Sequence, residues 1–137
     1  MEKINSLIFS LIALQNFCKD IHYNAKGDAF YSKHLLVDRI QENISDYIDS
    51  IKEVCFLAAN KEPLPSSQYL TEAAKLIPLI TADDTENFRA LSKLIFNTLK
   101  IIENPDILIS KGEENLLGAI AENLQTSLGL VYQQIKG

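Results

Sequence analysis

Apolar residues recur at three- and four-residue intervals along most of the chain, and no segment keeps up the alternation of a strand. Ile4, Leu7, Ile8, Leu11, Leu14, Cys18 and Ile21 form one such stripe. It predicts a first helix from about Lys3 to Asn24, closed by Lys26-Gly27, where glycine suits a helix C-cap. Leu36, Val37, Ile40, Ile44, Ile48, Ile51 and Val54 form a second stripe. It belongs to a long helix that Asp28 or Ser32 can cap and that runs to about Asn60, where Lys61-Glu62-Pro63 ends it. A short amphipathic piece, Ser67 to Leu76, is closed by Pro78. A third long helix starts at the cap candidates Asp83, Asp84 and Thr85 and reaches about Glu103, before Asn104-Pro105. The fourth begins at Ile107 or Glu113, with Gly112 marking a kink, and ends near Ile135.

This layout predicts an all-α protein: four long helices, with a short helix in the connection between the second and third. That connection is too long for a hairpin. It is long enough to cross a bundle from end to end, the order of bundles with one crossover rather than up-down-up-down. A chain of 137 residues, 47% of them hydrophobic, fits a single domain over residues 1–137. The longest apolar run, Leu7 to Leu14, is interrupted by Ser10 and falls far short of the ~20 residues of a membrane span. Lys3 precedes that run in the manner of a signal peptide, but Gln15 to Lys19 offer no small-residue cleavage site, so it reads as half of a core helix. Cys18 and Cys55 lie among apolar neighbours, which points to buried free thiols in a reducing, cytoplasmic setting. The net charge of -5 and pI near 5.0 disfavour nucleic acid, whose phosphates call for clustered Lys and Arg, and favour cations.

Candidate chemistry lies on the second helix. At ~100° per residue, with His34 at zero, Asp38 falls at about 40°, Asp49 at about 60° and Glu53 at about 100°. The apolar stripe occupies about 200° to 320°, so these four side chains turn away from the core. A solvated face accounts for most stripes of this kind. Imidazole with carboxylate, however, is a ligand set for iron, manganese or zinc. His22, at the end of the first helix, can also approach His34 across a short turn. His34 and Asp49 stand about 22 Å apart along a helix, so one ion cannot join them within a chain. If two copies of the helix pack antiparallel about a two-fold axis, His22 and His34 of one meet Asp49 and Glu53 of the other, twice over.

The run His22-Tyr23-Asn24-Ala25-Lys26-Gly27, then Phe30, His34 and Asp38, then Asp49 and Glu53, closely resembles the Dps-type mini-ferritins. That family carries a His-Trp-Asn-x-x-Gly turn, a second His twelve residues after the first, an Asp four further on, and a final Asp-x-x-x-Glu. The match is strongest over Leu7 to Ala59. The resemblance implies a ferritin-like four-helix bundle and an iron-binding ferroxidase that also stores iron. His22 and His34 of one subunit would act with Asp49 and Glu53 of its two-fold mate, and Asp38 would hold a second iron or orient a ligand. It implies a homo-oligomer, a hollow dodecamer in the family, with ferrous iron and hydrogen peroxide or oxygen as substrates. Mono-iron and di-iron centres both fit the ligand set, as do zinc and manganese.

Tyr23 replaces the family's Trp and reads as an aromatic packing residue. The family's DNA binding uses a basic tail, which Met1-Glu2-Lys3 and Lys136-Gly137 do not provide, so DNA is not an expected partner. Glu113, Glu114, Asp83 and Asp84 are candidates to line an iron-admitting pore, but acidic residues gather at helix N-termini for dipole and capping reasons alone. Glu122 reads as a polar-face residue. Two other readings are a non-enzymatic assembly protein of the same fold and a DNA-protecting protein; the complete ligand set favours the ferroxidase. An intrachain di-iron bundle would need Glu-x-x-His pairs, and Lys19 and Tyr31 stand three before the two histidines.

Overall fold

The computed structural model describes residues 2–104 and 109–136, and all regular structure among them is helical. The elements are α1 (Glu2–Asn24), α2 (Phe30–Gln41), α3 (Ile44–Ile51), α4 (Ser66–Ala74), α5 (Asp84–Glu103) and α6 (Lys111–Lys136), with a π-helical turn (Lys52–Leu57) continuing α3. None of the described helices is long and apolar enough to cross a membrane. Pro105 and a helix start at Ile107 lie outside the described residues.

α1 is the central element, packed on α2, α3, α4 and α5, while α6 packs on α5 and on the α2–α3 side. Its buried face is Ile4, Leu7, Ile8, Leu11, Leu14, Phe17, Cys18 and Ile21, as the periodicity requires. Side-chain bonds fix the directions. Lys3 Nζ donates to Asn104 O at 2.7 Å at one end, and Lys26 N donates to Asp84 Oδ2 at 3.1 Å at the other, so α1 and α5 are antiparallel. Between them, buried Thr98 gives its hydroxyl proton to Leu94 O, which leaves Ser10 Oγ as the donor to Thr98 Oγ1. Gln15 Nε2 donates to Ser45 Oγ at 2.8 Å, placing the α2–α3 path antiparallel to α1 as well. The α2–α3 path and α5 therefore run the same way, and the segment between them must travel the length of the molecule. α4 lies in that crossing segment. Tyr69 pins it to α1 by donating to Asn5 Oδ1 at 2.7 Å while accepting from Leu64 N at 3.1 Å.

Several boundaries have local causes. Asp83 caps α5, accepting from Thr85 N at 2.9 Å and Glu86 N at 3.3 Å. Asn104 is extended (φ -62°, ψ 120°), the conformation a following proline imposes. α6 starts at Lys111, where Ser110 Oγ accepts from Glu113 N at 3.2 Å; Gly112 lies in the first turn and marks no kink. Glu113 is thus tied to a helix start, the structural role weighed for it.

The second predicted helix departs most from expectation. It is not one α-helix to Asn60. Neither Asp28 nor Ser32 caps it: Ala29 precedes α2 in the left-handed region (φ 59°) without a side-chain cap, after Gly27 (φ 67°) has turned the chain. Asn43 (φ -99°, ψ 1°) then breaks the ladder between α2 and α3, in the bridge conformation typical of the third residue of a tight turn. The π-turn follows, with Ala58 N reaching Glu53 O at 2.9 Å. Asn60 (φ 56°) ends the helix through paired bonds, Lys61 N to Phe56 O at 2.8 Å and Asn60 N to Leu57 O at 3.0 Å, three residues before Pro63. The break also undoes the continuous 100° wheel, because the phase of Asp49 and Glu53 no longer follows from that of His34.

A left-handed alanine is the costlier choice at position 29, since its Cβ crowds the backbone where glycine has none. Ala29→Gly is expected to raise unfolding stability by about 0.5–1 kcal/mol in urea titrations. A loss of stability would mean that the turn is not held at that positive φ.

Candidate metal centre

The α1–α2 corner brings together His22 at the end of α1 with His34 and Asp38 one turn apart on α2. The two imidazole rings lie nearly face to face, 3.6 Å between centroids and 31° between planes. Phe30 lies against the His34 ring, tilted at 36° with centroids 5.3 Å apart, and Tyr23 meets His22 edge-on at 4.9 Å. His34 Nδ1 lies 3.3 Å from His22 O. A carbonyl only accepts, so this contact keeps the proton on Nδ1 and leaves the Nε2 lone pair for a ligand.

His22 Nδ1 is buried and makes no hydrogen bond, although Asp38 Oδ1 stands 2.8 Å away. The distance is that of a hydrogen bond but the direction is not, and direction decides whether a proton is shared. Two polar atoms that crowd each other without bonding suit a cation between them better than a proton. Each of His22, His34 and Asp38 offers a ligand atom, and these atoms lie within 4.8 Å of one another. All three residues are half-buried. This is the only such trio of His, Cys or acidic residues among the described residues. An open groove of about 450 Å³, lined by Leu35, Asp38, Arg39, Gln41 and Glu42, lies beside Asp38.

Asp49 and Glu53 are exposed, one near the end of α3 and the other in the π-turn, and neither joins the trio within the chain. The expected approach of His22 to His34 is therefore found, and Asp38 takes a fuller part in it than its secondary billing implied. Tyr23 does not pack into the core of its own chain: it is 80% exposed and touches the His22 ring. It ends a helix on the solvent side of the stripe that buries Ile21, which periodicity alone could have indicated. Asp83 and Asp84 are engaged at the start of α5, and Glu122 is exposed.

The thiols are inert. Burial, and then the Asp38 carboxylate, push the Cys18 thiol far up. Burial and Glu113 push Cys55 to about 11. Both are free and buried, as expected, and stay protonated at neutral pH.

Compared with known families and proteins, the chain matches no family model and no curated protein.

Proposed function

We propose that this chain is a Dps-type mini-ferritin with a ferritin-like bundle: a ferroxidase that oxidises ferrous iron at sites shared by two subunits and stores the product. The observation that carries the reading is the half-buried His22–His34–Asp38 trio, with its unbonded Nδ1, at the corner where the sequence motif puts it. The parallel course of α2–α3 and α5, with α4 in the crossing segment, is the connection such bundles use. Aromatic and aliphatic side chains stand in water around the trio: Tyr23 at 80% exposure, Tyr31 at 70%, Leu35 at 45% and Phe30 at 42%. An apolar rim of this kind is what a subunit contact covers, and a two-fold mate would bring Asp49 and Glu53 to it.

The chemistry asks little of the protein beyond ligation. Imidazole and carboxylate hold ferrous iron, carboxylates favour the harder ferric product, and a small ligand number leaves room for the oxidant. Each ferrous ion gives one electron, so two ferrous ions reduce one peroxide, which takes up two protons from water and leaves as two water molecules. Anaerobic ferrous titration followed by peroxide or oxygen, read by near-UV absorbance, is expected to give oxidation stoichiometric with protein, on a particle that elutes far above a monomer. Iron oxidised no faster than in buffer would remove the ferroxidase.

A second reading draws on the completeness of the trio within one chain: a helical assembly protein that binds zinc or a similar cation without redox chemistry. It predicts cation binding to the trio with no oxidation of iron.

A further inference from the structure

Between Ala25 and Val37, both buried, the chain has no buried residue: 26–32 and Leu35 are exposed, and Lys33, His34 and Leu36 only partly covered. His34 sits in this stretch. Besides the His34 contact to His22 O, one polar network ties it to the rest of the molecule. Lys33 Nζ donates to Asp84 Oδ2 at 2.9 Å and to Lys26 O at 3.2 Å, and Asp84 Oδ2 also accepts from Lys26 N at 3.1 Å. The two charged side chains are only 16% and 14% exposed, unlike the solvated ion pairs elsewhere on the surface. Asp84 opens α5, where the helix N-terminus favours a carboxylate. Burial alone would raise its pKa; the bonds from Lys33 and Lys26 N, and the two lysine charges, outweigh it and hold the carboxyl below its usual range.

We infer that Lys33 and Asp84 are positioning residues for the metal centre: their ion pair, closed through both backbone groups of Lys26, sets where the first turn of α2 stands relative to α1 and so holds His34 against His22. The inference rests on the proposed use of the trio as a metal site. Apolar packing begins only in the second turn of α2, where Leu36 lies partly buried against the core. The first fully buried side chain of α2 is Val37, three residues beyond His34, and the rings that touch His34 belong to the site itself. A turn that contains two left-handed residues gains further from an outside tether.

Charge separates this role from a field effect. Lys33→Met removes a positive charge near the site, and Asp84→Ala removes a negative one. A field effect makes the first variant bind a cation more tightly and the second more weakly; a tether makes both bind more weakly. Either single variant leaves one charge buried without its partner, which endangers the fold. The double variant Lys33→Met/Asp84→Leu removes both charges and keeps the fold testable.

Two readouts are taken on full-length protein: Co²⁺ titration by visible absorbance, and the ring-current shifts that the stacked His22 and His34 imidazoles impose on each other in metal-free protein, by NMR. We expect both single variants and the double variant to bind Co²⁺ about tenfold or more weakly, in the range for residues that orient ligands. Their histidine shifts should relax toward those of free imidazole while far-UV helicity is kept. Opposite changes in the two single variants, or unchanged shifts in the double variant, overturn the tether. If wild-type protein takes up no Co²⁺ but the variants still lose their ring-current shifts, the tether stands as a corner device and the metal reading falls.

Discussion

A one-to-one co-assembly of His34→Ala and Asp49→Ala subunits is expected to regain about a quarter of the wild-type rate of ferrous oxidation, although each variant alone is about a hundredfold or more slower. The individual losses follow from removing a ligand, which costs at least as much as disturbing a residue that only orients one. The recovery follows from symmetry. In a two-fold contact each site takes its histidines from one chain and Asp49 and Glu53 from the other. A mixed pair then holds one site with both defects and one with none. Random pairing makes about half of the dimers mixed, and half of their sites are whole. The subunits must be co-expressed or refolded together so that pairs exchange. A mixture no better than its components would place all working ligands in one chain and remove the shared site. Circular dichroism of each variant should stay close to wild type, since His34 is only half-buried and Asp49 is exposed.

Phe17→Ala is expected to cost about 3–5 kcal/mol of folding stability, a large share of the ~5–15 kcal/mol that a domain has in total. Phe17 is fully buried, on the one helix that packs on α2, α3, α4 and α5. Truncation leaves a cavity that several elements would have to move together to fill, and cores relax only in part. With a urea slope of about 1–3 kcal/mol per molar, the unfolding midpoint should fall by about 2 M. A shift under about 0.5 M would mean that α1 does not occupy the centre of the core. The experiment is independent of the metal centre, so it tests the bundle whether or not iron is the substrate.

Much of the fold is legible in the residues. The α1 stripe, the Asp83 cap, the left-handed Gly27 and the buried thiols all follow from spacing and side-chain chemistry, because each depends on neighbours within one or two turns. The approach of His22 to His34 also follows, since a short turn leaves two antiparallel helices little choice. The interruption at Asn43 and the π-turn do not. Ile40, Ile44, Ile51 and Cys55 are buried with the irregularities present, so an apolar pattern that tolerates a slip of one residue cannot report one.

What the chain by itself determined is where helices form, which face each buries, and that imidazole and carboxylate meet at the α1–α2 corner; these are consequences of local periodicity and of the stereochemistry of single residues. What only the tertiary structure decided is that Lys33 reaches Asp84 across 51 positions of sequence and that Asp38 crowds a histidine nitrogen without bonding to it. Those outcomes depend on which helix ends become neighbours and on distances of a few ångströms between side chains, and neither is written in the spacing of residues along a single helix.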